Sequence, residues 1–182
     1  MTRLPGFTEH VTMNDSIVFA RKYRIPSARL QGWDYAGKGA YFVTICTHDR
    51  EPWFGHIRDH AMVRSDVGNV VADEWLQTEI VRPNITLDEW VVMPDHMHGI
   101  IIILKSVNPN ITNNPYHHPE WGPGTIGSII QQFKSVCTKR IKQLGYQQFR
   151  WQPRFHDHII RNADEFQRIR RYIMNNPKNW NH

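Results

Sequence analysis

The sequence has little cysteine and no long apolar run. These two features argue against a disulfide-rich, a cysteine-zinc and a membrane-spanning protein. Its two cysteines, Cys46 and Cys137, form neither a zinc-binding set nor a disulfide framework, so we expect free thiols. The longest aliphatic stretch, residues 100–104, is far too short to span a bilayer. No apolar run follows the early basic residues. The sequence therefore predicts a cytoplasmic protein with no signal peptide and no membrane partner.

The composition indicates a basic, globular protein. Hydrophobic residues make up 40% of the 182 residues and charged residues 21%, a balance typical of a folded domain. The formal net charge is +5 and the sequence pI is near 9.4, which favours a polyanionic partner because Lys and Arg release counterions from phosphates. Residues 1–28 lack a sustained apolar period and carry several basic side chains. We predict a basic N-terminal arm over residues 1–28 and one domain over residues 29–182.

The hydrophobic pattern predicts four strands and three helices. Strands are predicted over residues 41–47, 85–93, 97–104 and 149–160. Helices are predicted over residues 65–81, 125–144 and 162–176, and residues 106–124 form a loop rich in Asn and Pro. This βαββαβ order predicts an α+β, ferredoxin-like fold, in which a four-stranded antiparallel sheet has helices on one face and a further C-terminal helix.

Two histidines on the third predicted strand form the first candidate site. His96 and His98 are two residues apart, so their imidazoles point to the same face while Met97 enters the core. Two neutral imidazoles suit a divalent metal and leave positions open for substrate oxygens. His156 and His158 repeat this spacing on the last predicted strand. Spacing alone leaves open which pair binds metal.

The last predicted helix carries the second candidate site. Ile169 and Ile173 belong to an apolar stripe, and Tyr172 and Asn176 share a line along its flank that Arg168 extends. A tyrosine phenolate can attack a phosphodiester and keep the phosphate as a covalent ester. An amide oxygen can complete a metal site, and an arginine can hold phosphates. Because a proline follows Asn176, its backbone is expected to leave the helical region.

Together, four segments resemble the REP-associated tyrosine transposases, a branch of the HUH single-strand endonucleases. The most specific are the run WVVMPDHMH at residues 90–98 and the run RYIMNNP at residues 171–177. The other two lie within residues 29–44 and 130–161. The resemblance covers most of the chain from about residue 29 onward.

The resemblance implies a function and a role for each candidate residue. Tyr172 would be the nucleophile, and His96, His98 and Asn176 would hold Mg²⁺ or Mn²⁺, which selects this histidine pair over His156 and His158. Single-stranded DNA would be cut and rejoined at repeated extragenic palindromes, through a 5′-phosphotyrosine and a free 3′-hydroxyl. The protein would be nucleoid-associated, as a monomer or homodimer. The basic side chains expected to contact the DNA hairpin are Arg168, Arg171, Lys134, Lys139, Arg140 and Arg161.

Two other functions stay open from the residues alone. A domesticated transposase would be a non-catalytic module that binds DNA or RNA hairpins on the same scaffold. A histidine-bound zinc hydrolase could act on another substrate, although the sequence has no His-Glu-x-x-His motif and no cysteine ligand set.

Overall fold

A computed structural model describes residues 33–105 and 123–180, all within the compact unit Gly32–His182. The predicted N-terminal arm and residues 106–122 of the predicted loop lie outside the described residues. The strands are β1 (Gly39–Cys46), β2 (Gly55–Arg58), β3 (Ala61–Arg64), β4 (Ile85–Val92), β5 (His96–Ile103) and β6 (His156–Ile160). The helices are α1 (Asp66–Ile80), α2 (Ile126–Gln143) and α3 (Ala163–Asn175), with short 3-10 turns at His48–Arg50 and Pro177–Asn179.

A four-stranded antiparallel sheet organises the fold and confirms the predicted α+β, ferredoxin-like arrangement. Its strand order is β4-β5-β1-β6, and every neighbouring pair is antiparallel. The strands β2 and β3 form a separate two-stranded hairpin. Within the described residues, no helix is long and apolar enough to cross a membrane.

The two faces of the sheet are covered by different helices. Alternate residues of β1, such as Tyr41, Val43 and Ile45, are fully buried in the main core with α1 and α2. The intervening residues point the other way, where Phe42 joins a smaller cluster with Ile173 of α3. The predicted tyrosine helix, α3, therefore packs on the face opposite α1 and α2. The predicted free thiols are confirmed, with Cys137 buried in the main core.

Each long helix starts at a side-chain cap that the sequence signals. Ser65, Thr125 and Asn162 accept hydrogen bonds from backbone N–H groups three residues later, at 3.1, 3.2 and 2.8 Å. Such caps satisfy N–H groups that have no partner within the helix. The helix boundaries agree with the predicted ones to within about two residues, the usual disagreement at helix ends.

Two elements differ from the prediction. The predicted strand over residues 149–160 is wrong in its first half, because β6 begins at His156 and the preceding segment is a loop. Phe149 is fully buried, so its apolar character reflects core packing, and Pro153 cannot donate to a strand ladder. The β2–β3 hairpin was missed because its turn residues, Asp59 and His60, have positive φ values of 52° and 60° without the usual Asn-Gly signal.

Gly99 allows Trp75 of α1 to pack directly on β5. A Cβ atom added at Gly99 would lie 2.4 Å from Trp75 Cζ2. We predict that Gly99→Ala lowers the free energy of unfolding, measured with urea, by about 1–3 kcal/mol, the usual cost of overpacking. In a double-mutant cycle with Trp75→Phe, the two changes should cost less together than the sum of their separate costs. Strictly additive costs would contradict this contact.

Candidate active site

The predicted histidine pair lies at the start of β5, on the face that α3 covers. His96 and His98 are 4% and 5% exposed, and Met97 between them is fully buried in the main core. The alternation predicted from the sequence is therefore present. Their ring centroids are 4.6 Å apart, so the imidazoles share one small space.

A buried carboxylate fixes the orientation of the first imidazole. Asp95 Oδ1 lies 2.5 Å from His96 Nδ1, and its other oxygen lies 3.1 Å from Arg50 Nε. An ionised carboxylate only accepts hydrogen bonds, so His96 Nδ1 carries the proton and Nε2 keeps a lone pair. Burial lowers the pKa of His96, although the hydrogen bond to Asp95 opposes that shift.

A threonine of β1 holds the second imidazole in place. Thr44 Oγ1 lies 2.8 Å from His98 Nδ1, and the hydroxyl can either donate or accept. Burial, followed by the neighbouring His96, lowers the pKa of His98 to about 3. His98 is therefore neutral at pH 7. When Thr44 accepts from Nδ1, the Nε2 atom of His98 also presents a lone pair.

The two Nε2 atoms are 3.1 Å apart. With both lone pairs facing, this contact is unfavourable unless a proton or a cation lies between them. Adjacent ligands of an octahedral cation with bonds of about 2.1 Å lie about 3 Å apart, so the spacing fits a shared cation. Across residues 33–105 and 123–180, no group of three His, Cys, Asp or Glu side chains could hold a metal. A third ligand supplied by these residues would be of another type.

Tyr172 brings a phenol to the same pair. Its hydroxyl lies 3.2 Å from His98 Nε2, and its ring meets Phe42 edge-on at 6.1 Å. The neighbouring Ile169 and Ile173 are buried against the sheet, as the apolar stripe predicted. Tyr172 itself is 49% exposed, so a substrate can reach its oxygen.

Asn176 lines the same cavity, which has a volume of about 340 Å³. Its φ and ψ are −57° and −44°, so the expected departure from the helical region is wrong. The chain instead continues into the 3-10 turn Pro177–Asn179, and the first residue of such a turn tolerates proline. The cavity is lined by Thr44, Arg50, His96, His98, Tyr172, Asn176, Asn179 and Trp180.

His158, whose role the sequence left open, ties β6 to the start of α3. Its Nε2 lies 2.8 Å from Glu165 Oε1, while Glu165 Oε2 accepts the Arg161 N–H at 2.9 Å. The Arg161 N–H first, and His158 second, lower the pKa of the Glu165 carboxyl. These contacts hold the helix that carries Tyr172. His156 pairs with Thr44 across β1 and β6 and is exposed.

Three of the predicted DNA-contacting residues lie beside α3. Arg168 and Arg171 are exposed on the helix, and Arg161 is exposed just before it. The Arg168 guanidinium lies 3.5 Å from Glu165 and is 71% exposed. None of the three lines the cavity.

The other three belong to α2, on the opposite face of the sheet from the histidine pair. Lys134 donates to the carbonyls of Gln152 and Arg154, both at 2.7 Å, and burial lowers its pKa to about 8. Arg140 is paired with Glu74 at 2.6 Å. Lys139 is exposed. Lys134 and Arg140 thus have structural partners, and the structure does not bring this group to the cavity.

Sequence reasoning missed four residues of the site. Asp95 and Thr44 orient the two imidazoles, Arg50 lies in the cavity, and the Trp180 ring lies 5.7 Å from that of His96. Asp95 had a signal, since it directly precedes the histidine pair. The register that places Thr44 opposite His98 requires the paired sheet.

Comparisons with known proteins agree with this fold. No family model matches the chain. An uncharacterized protein of Haemophilus influenzae (strain ATCC 51907 / DSM 11121 / KW20 / Rd) is 36% identical over 159 residues, or 85% of this chain and 88% of the relative. The chain belongs to the same family as that protein.

A solved structure gives the fold a known counterpart. A REP-associated tyrosine transposase bound to a REP hairpin superposes with a TM-score of 0.57 and 21% identity, over 85% of this chain and 73% of the other. The chain has the fold of that transposase. A candidate transposase from Deinococcus radiodurans R1 gives a TM-score of 0.40 at 18% identity, over 81% and 95% of the chains, which is too low to establish a common fold.

The contact between β6 and α3 makes the tyrosine helix sensitive to acid. Because the folded pKa of Glu165 is lowered, its stabilising contribution is complete above the ordinary pKa of about 4.3 and is lost as pH falls through the folded pKa. We predict that the amide-exchange protection factors of Glu165 and Phe166, whose N–H groups donate to Asn162, fall below about pH 4. Glu165→Gln should lower these protection factors near neutral pH, and they should then no longer decrease below about pH 4. Protection that responds to neither change would contradict this role.

Proposed function

We propose that the protein is a metal-dependent endonuclease and strand transferase for single-stranded DNA, with Tyr172 as the nucleophile. The observation that carries the proposal is the position of the Tyr172 hydroxyl, 3.2 Å from His98 Nε2, which itself lies 3.1 Å from His96 Nε2. A phenol that could act as a nucleophile, two imidazoles that could hold a cation and an open cavity thus occur together. This combination is typical of phosphoryl transfer.

The reaction follows from the groups present. The Tyr172 oxygen attacks the scissile phosphorus, the bond to the 3′ oxygen breaks, and the 3′ end leaves as a hydroxyl after taking up a proton. The phosphate stays on Tyr172 as a 5′-phosphotyrosine, which preserves a phosphodiester for rejoining. The phenol proton passes to solvent as the ester forms, because Tyr172 is half exposed and the lone pair of His98 Nε2 is assigned to the cation. Half exposure of the ring leaves room for a nucleic acid strand.

His96, His98 and Asn176 are the residues that would hold Mg²⁺ or Mn²⁺. His96 Nε2 and His98 Nε2 supply two lone pairs, and the Asn176 side chain borders the same cavity. The bound cation would polarise the scissile phosphate and stabilise charge in the transition state. Both imidazoles have lowered pKa values because they are buried, so they are neutral and available as ligands at pH 7.

We further propose that the substrate is a DNA hairpin from a repeated extragenic palindrome. The support is that the transposase with this fold was solved with a REP hairpin and that this chain carries a net charge of +5. Arg161, Arg168 and Arg171 are exposed near the tyrosine helix and are suited to hairpin phosphates. Binding of such repeats would place the protein on the nucleoid.

Replacement of Tyr172 by Phe tests the nucleophile. Purified protein, labelled hairpin DNA with a single-stranded flank and Mn²⁺ should give a protein–DNA band that survives a denaturing gel. We predict that Tyr172→Phe abolishes this band, because the attacking oxygen is lost, and leaves hairpin binding nearly unchanged.

The matched control is Tyr146→Phe, since Tyr146 packs against Trp53 away from the cavity. This variant should form the covalent band as the wild type does, and EDTA should prevent the band in both. A covalent band that persists in Tyr172→Phe would overturn the assignment. Hairpin binding without any band, over a panel of the host's palindromes, would favour a non-catalytic binding module.

Replacement of Thr44 tests the proposed metal ligands. Thr44→Val removes the oxygen that holds His98 Nδ1, and loss of such a supporting partner typically costs about 10–100-fold in metal affinity. We predict a decrease of that size in Mn²⁺ affinity, measured by titration calorimetry. Thr44→Ser keeps the hydroxyl and should retain most of the affinity. Wild-type affinity in Thr44→Val would contradict the proposed ligand geometry.

A further inference from the structure

Arg50 is the charged side chain of the cavity, and the sequence did not single it out. The other lining residues are threonine, histidine, tyrosine, asparagine and tryptophan, none of which carries a permanent charge. Among the described residues that line the cavity, Arg50 therefore supplies the only fixed charge. An anion that enters the cavity meets this guanidinium.

The guanidinium is oriented but keeps unused donors. Its Nε lies 3.1 Å from Asp95 Oδ2, and its Nη1 lies 2.9 Å from Cys46 Sγ. The remaining nitrogen, Nη2, has no hydrogen-bond partner among the described residues. The Arg50 side chain is 51% exposed. The two N–H groups of Nη2 thus lie near Asp95 without a partner in the part of the chain that the structure describes.

The backbone holds Arg50 in this place at a conformational cost. Asp49 and Arg50 have positive φ values of 51° and 58°, a region that side chains with a Cβ atom adopt rarely. Thr47 anchors the segment, since its backbone N–H and its hydroxyl both donate to the Asp95 carbonyl at 2.9 Å. Strained residues that the surrounding structure enforces are concentrated at functional sites.

We infer that Arg50 binds a phosphate of the single-stranded DNA that enters the cavity. This inference rests on the proposed function and adds the residue that contacts the substrate's charge. Arginine suits the role because its planar donors match phosphate oxygens and its charge does not titrate. Arg50 also contacts Asp95, the residue whose other carboxylate oxygen orients His96.

The test measures DNA binding without metal. A fluorescein-labelled single-stranded DNA hairpin with a flank is titrated by anisotropy in EDTA, over a range of salt concentrations, with wild type, Arg50→Gln and Arg50→Lys. We expect Arg50→Gln to bind about tenfold more weakly. Its slope of log affinity against log salt should fall by about 0.7, the value for one phosphate contact on a single strand. Arg50→Lys should keep the slope.

Arg82→Gln is the matched control, because Arg82 lies between α1 and α2 on the opposite face of the sheet. It should change neither the affinity nor the slope. A wild-type slope in Arg50→Gln would overturn the inference. An equal decrease of the salt slope in Arg82→Gln would also overturn it, because the decrease would then follow from the lower net charge of the protein and not from a contact of Arg50.

A second measurement separates phosphate contact from positioning of the histidine. If Arg50→Gln loses Mn²⁺ affinity while its salt slope stays at the wild-type value, Arg50 acts only through Asp95, and the inference fails. If the wild type forms the covalent adduct but Arg50→Gln has the wild-type salt slope, the inference about Arg50 is wrong and the proposed function stands. A wild type that neither binds the hairpin nor forms an adduct would overturn the proposed function, and the inference with it.

Discussion

The site depends on the close approach of two ring nitrogens. His96 Nε2 and His98 Nε2 are 3.1 Å apart and are both buried, where an unpaired lone pair is costly. The opposite nitrogen of each ring is occupied, by Asp95 for His96 and by Thr44 for His98. When Thr44 accepts from His98 Nδ1, both Nε2 atoms present lone pairs, and a proton or a cation between them makes this close approach favourable. The two histidines are two residues apart on β5, so the strand itself places their rings side by side on one face of the sheet.

The division of the sheet into two faces serves this arrangement. The helices α1 and α2 bury one face in the main core, which gives the strands a rigid support. The other face is covered by α3, whose buried Ile169 and Ile173 place Tyr172 over the histidine pair. This second apolar cluster is small. A hydrogen bond between His158 and Glu165 also connects the start of the helix to β6. Tyr172, the proposed nucleophile, thus sits on α3, beside a histidine pair that the sheet holds rigidly.

Much of this could be predicted from the sequence because it follows from periodicity. Alternation placed His96 and His98 on one face, and helical spacing placed Tyr172 on the flank of the buried stripe. What the sequence could not show depends on pairing across the chain. Thr44 meets His98 only through the register of β1 with β5, and Arg50 reaches Asp95 only through a backbone of positive φ. Long basic side chains were the least predictable, since Lys134 and Arg140 are held by carbonyl or carboxylate groups on the opposite face.

The most direct test of this account is to locate manganese in crystals of the protein. Crystals soaked in Mn²⁺ and measured at the manganese absorption edge give an anomalous signal at the position of the ion. The proposed ligands predict a peak between His96 Nε2 and His98 Nε2, bordering the Asn176 side chain, which needs a higher Mn²⁺ concentration in Thr44→Val than in the wild type or in Thr44→Ser. Density for two imidazoles that stay in direct contact at saturating Mn²⁺, with no anomalous peak between them, would contradict it and leave a proton as the shared group.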